Sequence, residues 1–258
     1  MGPGAPFLSF MGKIEDYRSI LGKVGDLDAY LLKESGLPGP RGNIELAQAV
    51  ADVGDEALFR RLLLNTPDMA PANDPHEFLA FCGAVGLGKL LAKGKIDSFK
   101  ELRSLASDPR WRLREGVAMG LQRGGMKDMK KLLDEMEKWG RGNPLEQRAA
   151  AAALCEPALL KDKADVERVL RILDDITTSI GSIDNRKSEE FIALKKGLAY
   201  CWSVAAAAYP EKGKKAMEKW FSSRDKDIVW IMKENLKKNR LERKDPAWVK
   251  KWRAYFQL

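Results

Sequence analysis

Apolar residues recur along this chain at intervals of three and four. Leu113, Val117 and Leu121 mark one stripe, and Met129, Leu132, Leu133 and Met136 mark another. That period matches the rotation of an α-helix, so it predicts helices over about 109–123 and 126–139, with Gly124-Gly125 ending the first. The same reading places helices at about 43–53, 56–64, 143–157, 160–180, 188–209, 211–221, 227–239 and 245–256, with 14–34 as a cap in front of them. No stretch carries the alternating, β-branched pattern of a half-buried strand, so a sheet content near zero is expected.

Four segments announce helices in the same way, with Asp or Asn followed at once by Pro: Asp74-Pro75, Asp108-Pro109, Asn143-Pro144 and Asp245-Pro246. An Asx side chain at the N-cap accepts from a free amide of the first turn, and Pro at the first helical position lacks a donor that would go unpaired anyway. Glu77 and Glu146 stand where a capping box would put them. The first three starts are separated by 34 and 35 residues, room for two helices and two short loops, which implies one helical hairpin per unit. Asp108-x-x-Trp111-x-x-Arg114-Glu115 recurs as Asp227-x-x-Trp230-x-x-Lys233-Glu234, 119 residues later. Gly-Pro clusters lie between helices at 36–43 and 66–75, and the second marks a candidate subdomain boundary.

SDPRWRLREGVAMGLQR at 107–123 resembles the first helix of a HEAT repeat, and RDKDIVWIMKENLKKNRL at 224–241 is similar to it. The resemblance covers about residues 43–258 and implies an all-α fold: a right-handed α-α superhelix, HEAT-like or ARM-like, of about five to six helix pairs behind an N-terminal tail and cap at 1–42. Such families are mostly binding scaffolds, and fold alone does not name the partner. One enzyme class shares the architecture, the HEAT-like alkylpurine DNA glycosylases. Gln147-Arg148-Ala149-Ala150 is similar to a helix start near that family's active site, but the tryptophan-rich segment bearing its catalytic Asp has no counterpart here.

Charge changes this picture at one end of the chain. The formal net charge is +8, and residues 212–258 hold 15 Lys and Arg against 6 Asp and Glu, a net of +9. A positive C-terminal third favours an anionic partner: a protein, or nucleic acid as the alternative. The candidate contact residues are Arg110, Trp111, Arg114, Arg148, Trp230, Lys233, Lys237, Lys238 and Arg240. Cations interleaved with aromatics suit phosphate contact and base stacking. The competing reading, which the repeated spacing favours, packs Trp111 and Trp230 at equivalent helix starts between successive helix pairs.

Other chemistry finds little support. Cys82, Cys155 and Cys201 lie far apart in sequence within apolar stretches and read as core residues of a reducing, cytoplasmic compartment. His76 is the single histidine; no motif places a nucleophile beside it, and the cysteines lack the Cys-x-x-Cys spacing of a zinc set, so neither histidine-based catalysis nor metal binding is expected. Gly83 to Lys89 matches the Gly-x-x-x-x-Gly-Lys of a phosphate loop, but Leu90 replaces its Ser or Thr and no strand precedes it; the glycines instead suit close helix approach. Asp174 and Asp175 are neighbours on a helix and diverge by about 100 degrees. The expectation is a non-enzymatic scaffold with no cofactor, no membrane span and no small-molecule substrate, with a DNA-binding protein or glycosylase as the alternative.

Overall fold

The computed structural model describes residues 5–258, with side chains from Met11 onward, and every regular element among them is helical. Helix packing divides the chain into two compact units, the first ending at Lys127 and the second running from Asp128 to Leu258. No helix among the described residues is long and apolar enough to cross a membrane.

The first unit contains α1 (Ala5–Leu21), α2 (Leu27–Lys33), α3 (Ile44–Val53), α4 (Glu56–Leu62), α5 (Glu77–Ala92), α6 (Ser98–Leu105) and α7 (Trp111–Gly125). Helices α1, α3, α5 and α7 each lie against the next, while α2, α4 and α6 pack onto α5. Where sequence periodicity suggests one capping segment at 14–34, the chain breaks at Gly22, and Asp26 caps a new helix by accepting from Ala29 N. Helix α5 is the centre of the unit, with 13 of its 16 residues buried. Gly86 lets it approach α4 so closely that a Cβ there would overlap the Phe59 ring. On the α7 side Gly88 faces Gly120, whose Cα lies 2.7 Å from where a Gly88 Cβ would sit. The glycines of the phosphate-loop-like stretch therefore serve helix crossing. Its lysine, Lys89, donates to the carbonyls of Asp52 and Gly54 at the end of α3, both at 2.6 Å.

The second unit contains α8 (Met129–Trp139), α9 (Pro144–Leu154), α10 (Lys163–Ser179) with a single 3-10 turn after it (Ile180–Ser182), α11 (Glu189–Ala208), α12 (Pro210–Phe221), α13 (Lys226–Leu236), α14 (Asn239–Glu242) and α15 (Pro246–Phe256). Two rows result. Helices α9, α11 and α13 lie side by side, and α8, α10 and α12 form a row behind them. Trp202 joins the rows, fully buried, with its indole N–H donating to Thr177 Oγ1 at 3.0 Å. Asn235, also fully buried, ties α13 to α11. Its amide donates to Leu198 O at 2.9 Å and its oxygen accepts from Ser203 N at 2.7 Å.

Two of the four Asx-Pro pairs start helices as expected. Asn143 accepts from Leu145 N and Glu146 N, Asp245 accepts from Trp248 N, and each is followed by Pro at the first helical position. The other two do not. Asp108 accepts from the backbone and guanidinium of Arg110, a residue only 3 % exposed whose charge needs a carboxylate more than the helix end does, and α7 begins at Trp111 instead. Asp74 is taken by the His76 amide and ring, and α5 begins at Glu77. Glu77 is no capping-box residue: fully buried, it accepts from Asn73 N at 2.7 Å and from Arg112 Nη1 at 3.2 Å. The proposed equivalence of Trp111 and Trp230 also fails. Asp225, not Asp227, caps α13, so Trp111 is the first residue of its helix and Trp230 the fifth.

Candidate anion-binding face of the second unit

Ile192, Lys196 and Tyr200 are spaced by four on α11, so they project from one stripe, and all three are exposed. This ridge is flanked by the two neighbouring helices of its row. On one side Arg148 of α9 runs past Gly197, its Cγ 3.2 Å from where a Cβ on that glycine would be, so the two helices approach closely there. On the other side Lys195 reaches α13, with Nζ 4.5 Å from the Trp230 ring centroid and 2.7 Å from Asp227 Oδ1. Arg240 of α14 lies 4.1 Å above the ring of Tyr200, which stays 46 % exposed. Such cation–ring pairs contribute about 0.5–1 kcal/mol at exposed sites and fix the aromatic plane.

Six of the nine residues singled out in the sequence belong to this unit. Arg148, Trp230, Lys233 and Arg240 are half-buried on α9, α13 and α14; Lys237 is exposed, and Lys238 precedes α14 at its N-cap. Lys233 Nζ lies 5.5 Å from the Phe256 ring, and Lys237 pairs with Glu234 at 2.5 Å across one helical turn, a contact that solvent screens. Sequence reading missed Lys195, Lys196 and Tyr200, which lie outside the basic C-terminal third. The available signal was the four-residue repeat of exposed residues on α11.

The other three belong to the first unit and do not form such a face. Arg110 is buried, its guanidinium saturated by Asp108 and by the carbonyls of Asn65 and Ala70 at 2.7 and 3.1 Å. Buried and held by those bonds, it is not available as a contact residue. Arg114 donates to Asp108 O and Pro109 O at 2.6 and 2.9 Å, closing the loop before α7. Trp111 is 47 % exposed and so does not fill a gap between helix pairs; the fully enclosed tryptophans are Trp139 and Trp202.

Carboxylates beside tryptophans are engaged in structural bonds. Asp174 accepts from Trp220 Nε1 at 2.9 Å and from Lys219 at 2.6 Å, and Glu218 accepts from both Trp248 and Trp252 at 2.7 and 3.1 Å. Gln147 is buried and donates to Gly140 O and Ser179 Oγ, a packing role at the start of α9. All three thiols are buried; burial pushes those of Cys82 and Cys155 well up, and Cys201, distant in sequence, lies against Cys155 and adds to its shift. Buried thiols held in the neutral form are poor nucleophiles. His76 is half exposed and bonded to Asp74 at 2.8 Å. No protein-family model matches the chain, and no curated protein matches it.

Proposed function

We propose that the chain is a non-enzymatic binding module of HEAT-like helix pairs, and that the α9–α11–α13 row of its second unit docks an anionic protein partner. The observation that carries this reading is the ridge on α11. Lys195 and Lys196 stand beside exposed Tyr200, with Arg148, Arg240 and the α13 lysines on either side, on one continuous row of helices. Cations of one sign on a shared face attract polyanions and raise association rates, an effect that falls with ionic strength. The two-row packing of the second unit supports the HEAT-like description, as do the spacings of 34 and 35 residues between the first three Asx-Pro pairs.

Nucleic acid is the second reading, favoured by the exposed ring of Tyr200 under a guanidinium, a surface on which a base can stack. The glycosylase form of that reading is weakened by the tryptophan-linked carboxylates, which are occupied by indole and ammonium donors. Release of an alkylated base from duplex DNA would restore it.

The test is capture of labelled poly-glutamate, duplex DNA and single-stranded DNA, titrated from about 50 to 200 mM salt, the range over which phosphate contacts weaken strongly. The variant carries Lys196→Glu, Lys233→Glu and Lys237→Glu; Arg240 is spared because Nη1 of its guanidinium is buried. Saturable capture of the acidic peptide, reduced roughly tenfold or more in the variant at unchanged helicity, is expected. Preference for DNA with a steep salt slope would move the assignment to nucleic acid. Absence of capture of all three polyanions at low salt would remove the face from consideration.

A further inference from the structure

A cavity of about 240 Å³ opens in the first unit between α7, α5 and the loop before α3. Its walls are apolar and largely flat. Phe78 and Phe81 stand with centroids 6.0 Å apart and planes within 25° of parallel, Trp111 borders the space from the start of α7, Leu37, Gly42, Ile44 and Met119 add to the lining, and its charged members are Arg41, Arg112 and Glu115. This explains why Trp111 is half exposed although its helix packs tightly: one face of the indole borders a space that no protein side chain fills.

One polar group on the wall is incompletely used. Arg112 is 7 % exposed and rigidly held: Nη1 donates to Glu77, Nη2 donates to Gly39 O at 2.5 Å and to Asn73 Oδ1 at 3.1 Å, and the guanidinium lies 4.5 Å from the Trp111 centroid. Its Nε–H is buried and has no acceptor. Buried donors are almost always satisfied, because an unmade bond forfeits the whole desolvation penalty of the group. An apolar cavity of roughly 150 Å³ already binds benzene, so this one accommodates a larger ring system.

We propose that this cavity is a binding site for a small planar molecule, one or two aromatic rings in size, bearing a carbonyl or carboxylate oxygen that accepts from Arg112 Nε. The rings stack among Phe78, Phe81 and Trp111. Arg41, loosely paired with Glu45 at 3.4 Å, and Arg112 set two cations on the lining against the one carboxylate of Glu115, which has a partner of its own, and so favour the carboxylate form over the neutral one. The site is independent of the second unit's basic face.

Calorimetric titration of the full chain with 2-naphthoate, 2-naphthamide and 2-methylnaphthalene tests the proposal. Saturable binding of the two oxygen-bearing probes is expected, tighter for naphthoate, with the hydrocarbon weaker by roughly tenfold, the weight of one hydrogen bond. Met119→Trp, which fills the cavity from α7, should abolish binding of all three while helicity is retained. Arg112→Lys keeps a cation for Glu77 but removes the Nε donor, and should erase the preference for the oxygen-bearing probes. If that variant does not fold, Met119→Trp and the probe series still decide. No saturable binding of any probe to the wild-type chain at about 1 mM, or equal binding to the Met119→Trp variant, would overturn the site.

Discussion

Asn235 sits on the apolar stripe of α13, in register with Ile231 and Met232, where a leucine would be the ordinary choice. Its amide also donates to Ile231 O at 2.8 Å, so one side chain serves three backbone groups on two helices. Asn235→Leu keeps the volume but leaves Ser203 N–H and Leu198 C=O without this partner. A loss of roughly 2 kcal/mol in urea unfolding is expected, against little change for a conservative swap at a neighbouring apolar position. A polar residue on a core stripe was readable in the sequence as an anomaly, but its partners, more than thirty residues earlier, were not. A second residue-scale prediction concerns Asp225. Burial alone would raise its pKa, but the Arg186 guanidinium and the amides of Asp227 and Ile228 outweigh burial and hold it below 3.8. With the folded pKa below the unfolded one, its contribution to stability is complete above the unfolded value and is lost as pH falls through the folded one. Arg186→Met should therefore make the fall in urea midpoint between about pH 5 and pH 2 shallower, and an unchanged acid limb would show that the pair carries no linkage.

At the scale of elements, periodicity and turn residues located most of the helices, because amphipathic stripes and caps are local. Where a cap residue was claimed by a distant charge the boundary moved: Asp108 went to buried Arg110, and α7 lost its first two expected residues. Helix α14, four residues long, was missed because it is too short to show a period. The cavity beside Trp111 was illegible for a different reason. It is a space between helices brought together by tertiary packing, and its one distinctive donor is defined by which bonds Arg112 fails to make. Helix crossing gives the sharpest prediction at this scale. Gly88→Ala places a methyl against the backbone of Gly120, which cannot swing aside, so overpacking of about 1–3 kcal/mol should outweigh the gain in helix propensity. Gly12→Ala on α1, where a Cβ meets nothing within 4 Å, should instead gain up to about 1 kcal/mol. Chemical denaturation of the two variants measures both signs; stabilisation by Gly88→Ala would mean that α5 and α7 shift apart at no cost.

For the molecule as a whole, each unit contains its own buried core and its own set of packed helices. Residues 128–258 produced alone should melt cooperatively with helical circular dichroism and keep the polyanion capture expected of the full chain. Loss of either property would show that the second unit needs the first. The basic surplus was readable as a number at the C-terminal end, but its distribution was not. The face gathers Arg148, Lys195 and Lys196 from upstream helices, while Trp248 and Trp252 of the basic third bond Glu218.

The placement of α5 has a consequence for synthesis. A nearly uniformly apolar helix is prone to aggregate on the ribosome, and its packing partners α2, α3, α4, α6 and α7 all precede residue 128. Helical units close in microseconds to milliseconds, whereas translating the remaining 131 residues takes on the order of ten seconds. This helix can thus be sheltered by its neighbours while most of the second unit is still being translated, so nascent chains stalled near residue 90 should recruit chaperones far more strongly than chains stalled well beyond residue 160.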